Sequence, residues 1–124
     1  MEKRAVCLNC IDGRVQIPAI NWIKDKYALD CVDMITEPGM DGVLADNNNP
    51  IDAITRKIEL SIDKNNTSMV FIVGHHDCQG NPVSELTHKE QICCAVGRLK
   101  KIFSQIEIIG LWINEQWMAE ILPT

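Results

Sequence analysis

The sequence predicts an α/β fold: a doubly wound, mainly parallel four-stranded sheet in the order 2-1-3-4, with helices on both faces and room for an antiparallel fifth edge strand. Three observations carry this prediction. Short apolar runs of strand type alternate with longer stretches of helical periodicity along the 124 residues. The run at residues 68–73 (SMVFIV) is continuously apolar, the pattern of a strand covered on both faces. Parallel neighbours also need a crossover between them, and the helical stretches supply one each time.

The first strand is read at residues 5–10. A helix follows, with Pro18 taken to lie in its first turn and Ile20, Ile23 and Tyr27 on one face. Residues 31–36 read as the second strand, ended by Pro38-Gly39, and residues 39–49 (GMDGVLADNNN) as a polar loop. Asn49 as N-cap and Pro50 at the first helical position open the second helix, with Ile51, Ile54, Ile58 and Ile62 at helical spacing and Asn65-Asn66 at its end. After the third strand at 68–73, Thr87 and Glu90 read as a capping box for the third helix, whose inner face is Ile92, Val96, Leu99 and Phe103. Residues 106–113 form the fourth strand. Residues 115–122 fit either an antiparallel edge strand or a short helix.

Residues 1–124 are read as one domain, with 46% apolar and 23% charged residues, ordinary for a globular protein. A net charge of −5 argues against a nucleic-acid surface, and no apolar run reaches the roughly 18 residues of a membrane span. The apolar segment after the charged MEKR start is too short for a signal peptide, so a cytoplasmic location is expected. The six cysteines then read as thiols or metal ligands rather than disulfides.

In a doubly wound sheet the ligand crevice lies beyond the carboxyl ends of the strands, where the strand order reverses. Here that is between the first and third strands, which end in Cys10-Ile11-Asp12-Gly13-Arg14 and in His75-His76-Asp77-Cys78. Two thiols and an imidazole, Cys10, Cys78 and His75, make a tetrahedral zinc set with one position open. Cys7 could complete a closed site only if the strand bent at Asn9. In extended chain its α-carbon lies about 10 Å from that of Cys10 and its side chain points to the other face. Asp12 lies on the same side as Cys10, within reach of the fourth position. Arg14 can hold its carboxylate in a bidentate pair and keep it off the metal.

The pattern Cys10-x-Asp12-x-Arg14 with Gly74-His75-x-x-Cys78 resembles the β-class carbonic anhydrases over most of the chain. The resemblance implies a zinc lyase, assembled as a homodimer or larger homo-oligomer, that hydrates carbon dioxide to bicarbonate by zinc-bound hydroxide. It implies Cys10, His75 and Cys78 as zinc ligands, Asp12 as acceptor of a hydrogen bond from zinc-bound hydroxide, and Arg14 as the residue orienting Asp12. It also implies a closed state in which Asp12 is the fourth ligand. The departures are Gln79, where the family commonly has glycine, and Thr36-Glu37-Pro38-Gly39 in place of an Arg-Asn-Ala-Gly turn. Nine residues precede Cys10, so the family's upstream helices and the pocket residues they supply have no counterpart in this sequence. The altered pocket leaves room for hydrolysis of a carbon dioxide analogue such as carbonyl sulfide or carbon disulfide. Because an open and a closed site need the same ligands, a non-catalytic zinc-binding or regulatory protein permanently closed by Asp12 is a third reading.

Other residues take ordinary readings. His76 and His88 are expected at the surface, Cys31 in a strand core, and Cys93-Cys94 packed on the third helix. Trp112 and Trp117 fit either a subunit interface or isolated core positions. The loop at residues 39–49 is either a lid over the crevice or a plain connection.

Overall fold

A computed structural model describes residues 2–123. The elements run β1 (Arg4–Cys10), α1 (Gly13–Tyr27), β2 (Cys31–Glu37), α2 (Met40–Ala45), α3 (Asp52–Asn65), β3 (Met69–His75), α4 (Glu85–Ile102), β4 (Glu107–Ile113) and β5 (Ala119–Leu122). The sheet order is β2-β1-β3-β4-β5, parallel except for the antiparallel β4–β5 pair. The expected order is therefore present, and the chain end resolves as the edge strand rather than a helix.

Alternation along the central strands divides the core between two faces. Val6, Leu8, Val70 and Ile72 pack against Leu44 of α2, Ile54 and Ile58 of α3, and Ile92 and Leu99 of α4. Ala5, Cys7, Phe71 and Val73 pack against Val15, Ala19 and Ile23 of α1. Cys10 and Cys78 belong to this second cluster, so the thiols sit at the rim of a dry layer.

The sheet itself opens the crevice. The β1–β3 ladder stops at Leu8↔Ile72. Beyond it, β1 stays with β2 as far as Cys10↔Glu37, and β3 stays with β4 as far as His75↔Ile113. The two middle strands part at their carboxyl ends, as a topological switch point requires. Because β1 runs unbroken through Asn9, Cys7 remains on the core face, fully buried.

Several expectations about helix boundaries need correction. Pro18 lies at the sixth residue of α1 rather than in its first turn, where it deprives the Arg14 carbonyl of its helical donor. The stretch read as a polar loop contains α2, because Met40 and Leu44, one turn apart, are both fully buried. Helix α3 begins at Asp52, since Ile51 is drawn into the core, and Asn49 instead bonds the Val43 carbonyl at 3.2 Å. Ser84, not Thr87, caps α4; its hydroxyl accepts the Thr87 N–H at 3.1 Å. On that helix Cys93 and Cys94 face outward, while His88 joins the buried stripe of Ile92, Val96 and Leu99. Cys31 is only partly buried and donates to Glu2 Oε2 at 3.0 Å.

Candidate metal centre

Cys10 ends β1, His75 ends β3 and Cys78 lies in the turn beyond it. All three are buried, and their ligating atoms lie within 4.8 Å of one another. The two sulfurs are 3.9 Å apart. Among the described residues this is the cluster that brings three such side chains together. Cys7 stays outside it, its thiol pushed up to about 12 by burial alone.

The imidazole is arranged for a ligand. His75 Nδ1–H donates to the His76 carbonyl at 2.7 Å, which leaves Nε2 with its lone pair. Nε2 is buried and finds no partner. An unpartnered buried nitrogen costs on the order of 1–3 kcal/mol, and a cation held jointly with the two sulfurs would satisfy it. Burial lowers the His75 pKa, keeping the ring neutral. The Cys78 thiol is pushed up to about 11, first by burial and then by Cys10 beside it, while the Asn81 backbone N–H pulls the other way. A cation would relieve the mutual repulsion of two thiolates. The donor set, burial and vacant nitrogen all fit zinc.

Backbone amides support both sulfurs. The Gly39 N–H points at Cys10 Sγ, 3.5 Å away. Gly39 has φ +61°, and a Cβ there would lie 2.7 Å from the Gly80 carbonyl oxygen, so only glycine lets the two loops close on each other. A buried network sets their spacing. His88 Nδ1–H donates to Asp41 Oδ2 at 2.6 Å, and Asn81 Nδ2 donates to Asp41 Oδ1 at 3.0 Å and to Gln91 Oε1 at 2.7 Å. Asp41 and His88 are 1% and 2% exposed, so the centre of this polar cluster is solvent-excluded, with Asn81 and Gln91 half-buried at its edge. The Asp41 carboxylate also packs on Gly74, beside His75, in space a side chain would fill.

Asp12 is held by one neighbour in three ways. Its Oδ1 accepts the Arg14 backbone N–H at 2.9 Å, capping α1. Arg14 Nε lies 3.2 Å from both carboxylate oxygens, and Nη2 lies 2.7 Å from Oδ2. These hydrogen bonds hold the Asp12 pKa down to about 2. The guanidinium also spans the crevice, donating to Asp77 Oδ2 at 3.1 Å and to the Asp77 carbonyl at 3.0 Å. Arg14 thus ties the two polar clusters together. His76, expected in solvent, packs edge-on against Trp117 with centroids 4.8 Å apart.

The centre opens onto a cleft of about 420 Å³ lined by Cys10, Ile11, Asp12, Pro38, Gln79 and Gly80. A larger groove of about 570 Å³, touching Arg4 and Met69, lies at the opposite end of the strands, away from the cluster.

The family model described as "Putative carbonic anhydrase" matches residues 1–122. The chain belongs to this family. Solved structures agree at the level of fold. A β-carbonic anhydrase from Trichomonas vaginalis superposes with a TM-score of 0.65 at 16% identity, covering 96% of this chain and 81% of the other. A carbonic anhydrase from Glaciozyma antarctica gives 0.65 at 15% identity, covering 98% and 82%. A tetrameric β-carbonic anhydrase from Sordaria macrospora gives 0.56 at 13% identity, covering 100% and 82%. No curated protein matches the sequence. The fold is that of the β-carbonic anhydrases, so the resemblance read from the two motif halves is upheld for family and architecture.

No local pattern in the sequence marks Asp41, Asn81 or Gly39 as belonging to the site, or Trp117 as its neighbour. His88 had a legible signal, since it stands four residues before Ile92 on the inner stripe of α4.

Proposed function

We propose that this protein catalyses the reversible hydration of carbon dioxide to bicarbonate, with zinc held by Cys10, His75 and Cys78 in a single domain spanning residues 1–124. One observation carries the reading: a buried Cys–His–Cys cluster with a vacant imidazole nitrogen stands beside a carboxylate that is fully engaged elsewhere. Zinc there would supply hydroxide near neutral pH by lowering the pKa of a bound water to about 7.

The chain's own residues do the rest. Asp12, ionised across the physiological range, offers an acceptor at the cleft that fixes a proton and thereby aims the attacking oxygen. Arg14 holds that carboxylate at the cleft wall and away from the cluster. Ile11 and Pro38 give the cleft apolar walls, suited to a small apolar gas. The Gly39 N–H stabilises charge on the Cys10 sulfur.

Two supports extend the reading. The related Sordaria macrospora enzyme is tetrameric, which favours a homodimer or larger homo-oligomer here. Dependence on two reduced thiols favours the cytoplasm, and no described helix is long and apolar enough to cross a membrane.

Stopped-flow measurement of carbon dioxide hydration on zinc-loaded protein tests the proposal. Activity well above that of Cys78→Ala supports it, and activity equal to that variant refutes it. A second substrate class is favoured by Pro38 and Gln79 in the cleft wall, where the family pattern differs. Sulfide release from carbonyl sulfide or carbon disulfide, without carbon dioxide hydration, would select it. A non-catalytic site closed by Asp12 is disfavoured by the three donors Arg14 directs at that carboxylate.

A further inference from the structure

Trp117 has φ +59°, in the left-handed region that suits glycine and strains a bulky side chain. It occupies the turn between β4 and β5, where its N–H donates to the Asn114 carbonyl at 2.8 Å and Asn114 N–H donates to the Met118 carbonyl at 3.0 Å. Glycine would make this turn without strain. A tryptophan kept there needs a reason in what its ring touches.

The half-buried ring touches the site. The Arg14 guanidinium carbon lies 5.1 Å from its centroid. His76 meets it edge-on at 4.8 Å, and His75 stacks at 6.2 Å with 30° between planes. The in-plane donors of Arg14 are spent on Asp12 and Asp77, which leaves the guanidinium face for an aromatic surface. The Arg14 side chain is otherwise 46% exposed, with open solvent into which it could swing.

We infer that Trp117 is a positioning residue that locks Arg14 onto Asp12 and so keeps the Asp12 carboxylate out of the fourth ligand position. This rests on reading Cys10, His75 and Cys78 as metal ligands. Without the indole, Arg14 samples solvent, Asp12 loses its side-chain donors, and the carboxylate competes for the metal. The ring acts on the open–closed balance of the site and touches no substrate.

Cobalt(II) loaded in place of zinc reports the balance, because its visible absorption changes when azide enters an open fourth position. The wild type should respond to azide. Trp117→Gly, which also relieves the backbone, should raise the apparent azide Kd about tenfold by lowering the open population to about a tenth. Trp117→Leu, which keeps apolar bulk without a π face, should show the same loss, and Trp117→Phe should retain most of the response. Adding Asp12→Asn to Trp117→Gly should restore azide binding.

Wild-type azide affinity in both Trp117→Gly and Trp117→Leu would overturn the inference. So would a loss that Asp12→Asn does not repair, or a wild-type spectrum indifferent to azide. A wild type that takes up no cobalt, or that gives the same spectrum as Cys78→Ala, would instead refute the metal reading and this inference with it.

Discussion

Arg14 Nη2 lies 2.7 Å from Asp12 Oδ2, while Nη1 of the same guanidinium lies 3.1 Å from Asp77 Oδ2. One side chain from the start of α1 therefore joins the polar ends of β1 and β3 and fixes the Asp12 carboxylate at the cleft. The consequences for activity follow from that geometry.

Removing the guanidinium should cost activity while sparing the metal. Arg14→Ala should keep zinc stoichiometry and lower the carbon dioxide hydration rate about 10- to 100-fold, the usual effect of losing a supporting partner at a metal site. Arg14→Lys should not rescue, because an ammonium cannot make the forked contact with both oxygens. Stopped-flow rates beside metal analysis read both quantities.

The cysteines should separate by strand geometry. Cys10→Ser and Cys78→Ser should lose tightly bound zinc, whereas Cys7→Ala should keep it, since Cys7 packs in the core and lies outside the cluster. Zinc content after dialysis against a weak chelator distinguishes them. Equal loss in Cys7→Ala would mean that β1 bends and that Cys7 closes the site.

The buried polar network should matter to stability. Asp41→Asn weakens a buried hydrogen bond to His88 and unsettles the part-buried contact to Asn81. A loss of about 2 kcal/mol is expected. For a chain of this size that lowers Tm by roughly 5–10 °C, measurable by calorimetry.

Acid should weaken the β2 edge through Asp33. Burial alone would raise its pKa, but hydrogen bonds from Ser61 and Asn65 and the ion pair with Arg4 outweigh burial and lower it. A lowered native pKa means that Asp33 stabilises the fold above the ordinary carboxylate value near 4 and loses that contribution as pH falls through its native value. Chemical denaturation should therefore show Asp33→Asn less stable than wild type at pH 7 and nearly equal to it in strong acid.

Much of this was legible in the sequence because strong local signals coincide with the fold. Apolar runs ending in Cys10 and His75 marked both the strands and the ends at which the crevice opens. Fixed spacing between Cys10, Asp12 and Arg14 put three chemically unlike side chains on one turn. Helix α2 was hidden because two apolar residues, Met40 and Leu44, are set among glycines, asparagines and aspartates that locally favour turns. His88 stands four residues before Ile92, a spacing that puts it on the inner stripe of α4, but its polar side chain taken alone suits a solvent-facing first turn. The Asp41–His88 pair is a tertiary contact between residues 47 apart, which no local pattern encodes. Trp117 was illegible for the opposite reason: its position calls for glycine, and its value lies in a guanidinium from the other end of the chain.

A crystal structure of the zinc-loaded protein decides whether zinc sits on Cys10, His75 and Cys78 with Asp12 held aside by Arg14. The expected result is zinc on those three residues, a non-protein fourth ligand, and the Asp12–Arg14 fork intact. Zinc elsewhere, or an Asp12 oxygen bound to zinc with Arg14 released, would contradict it.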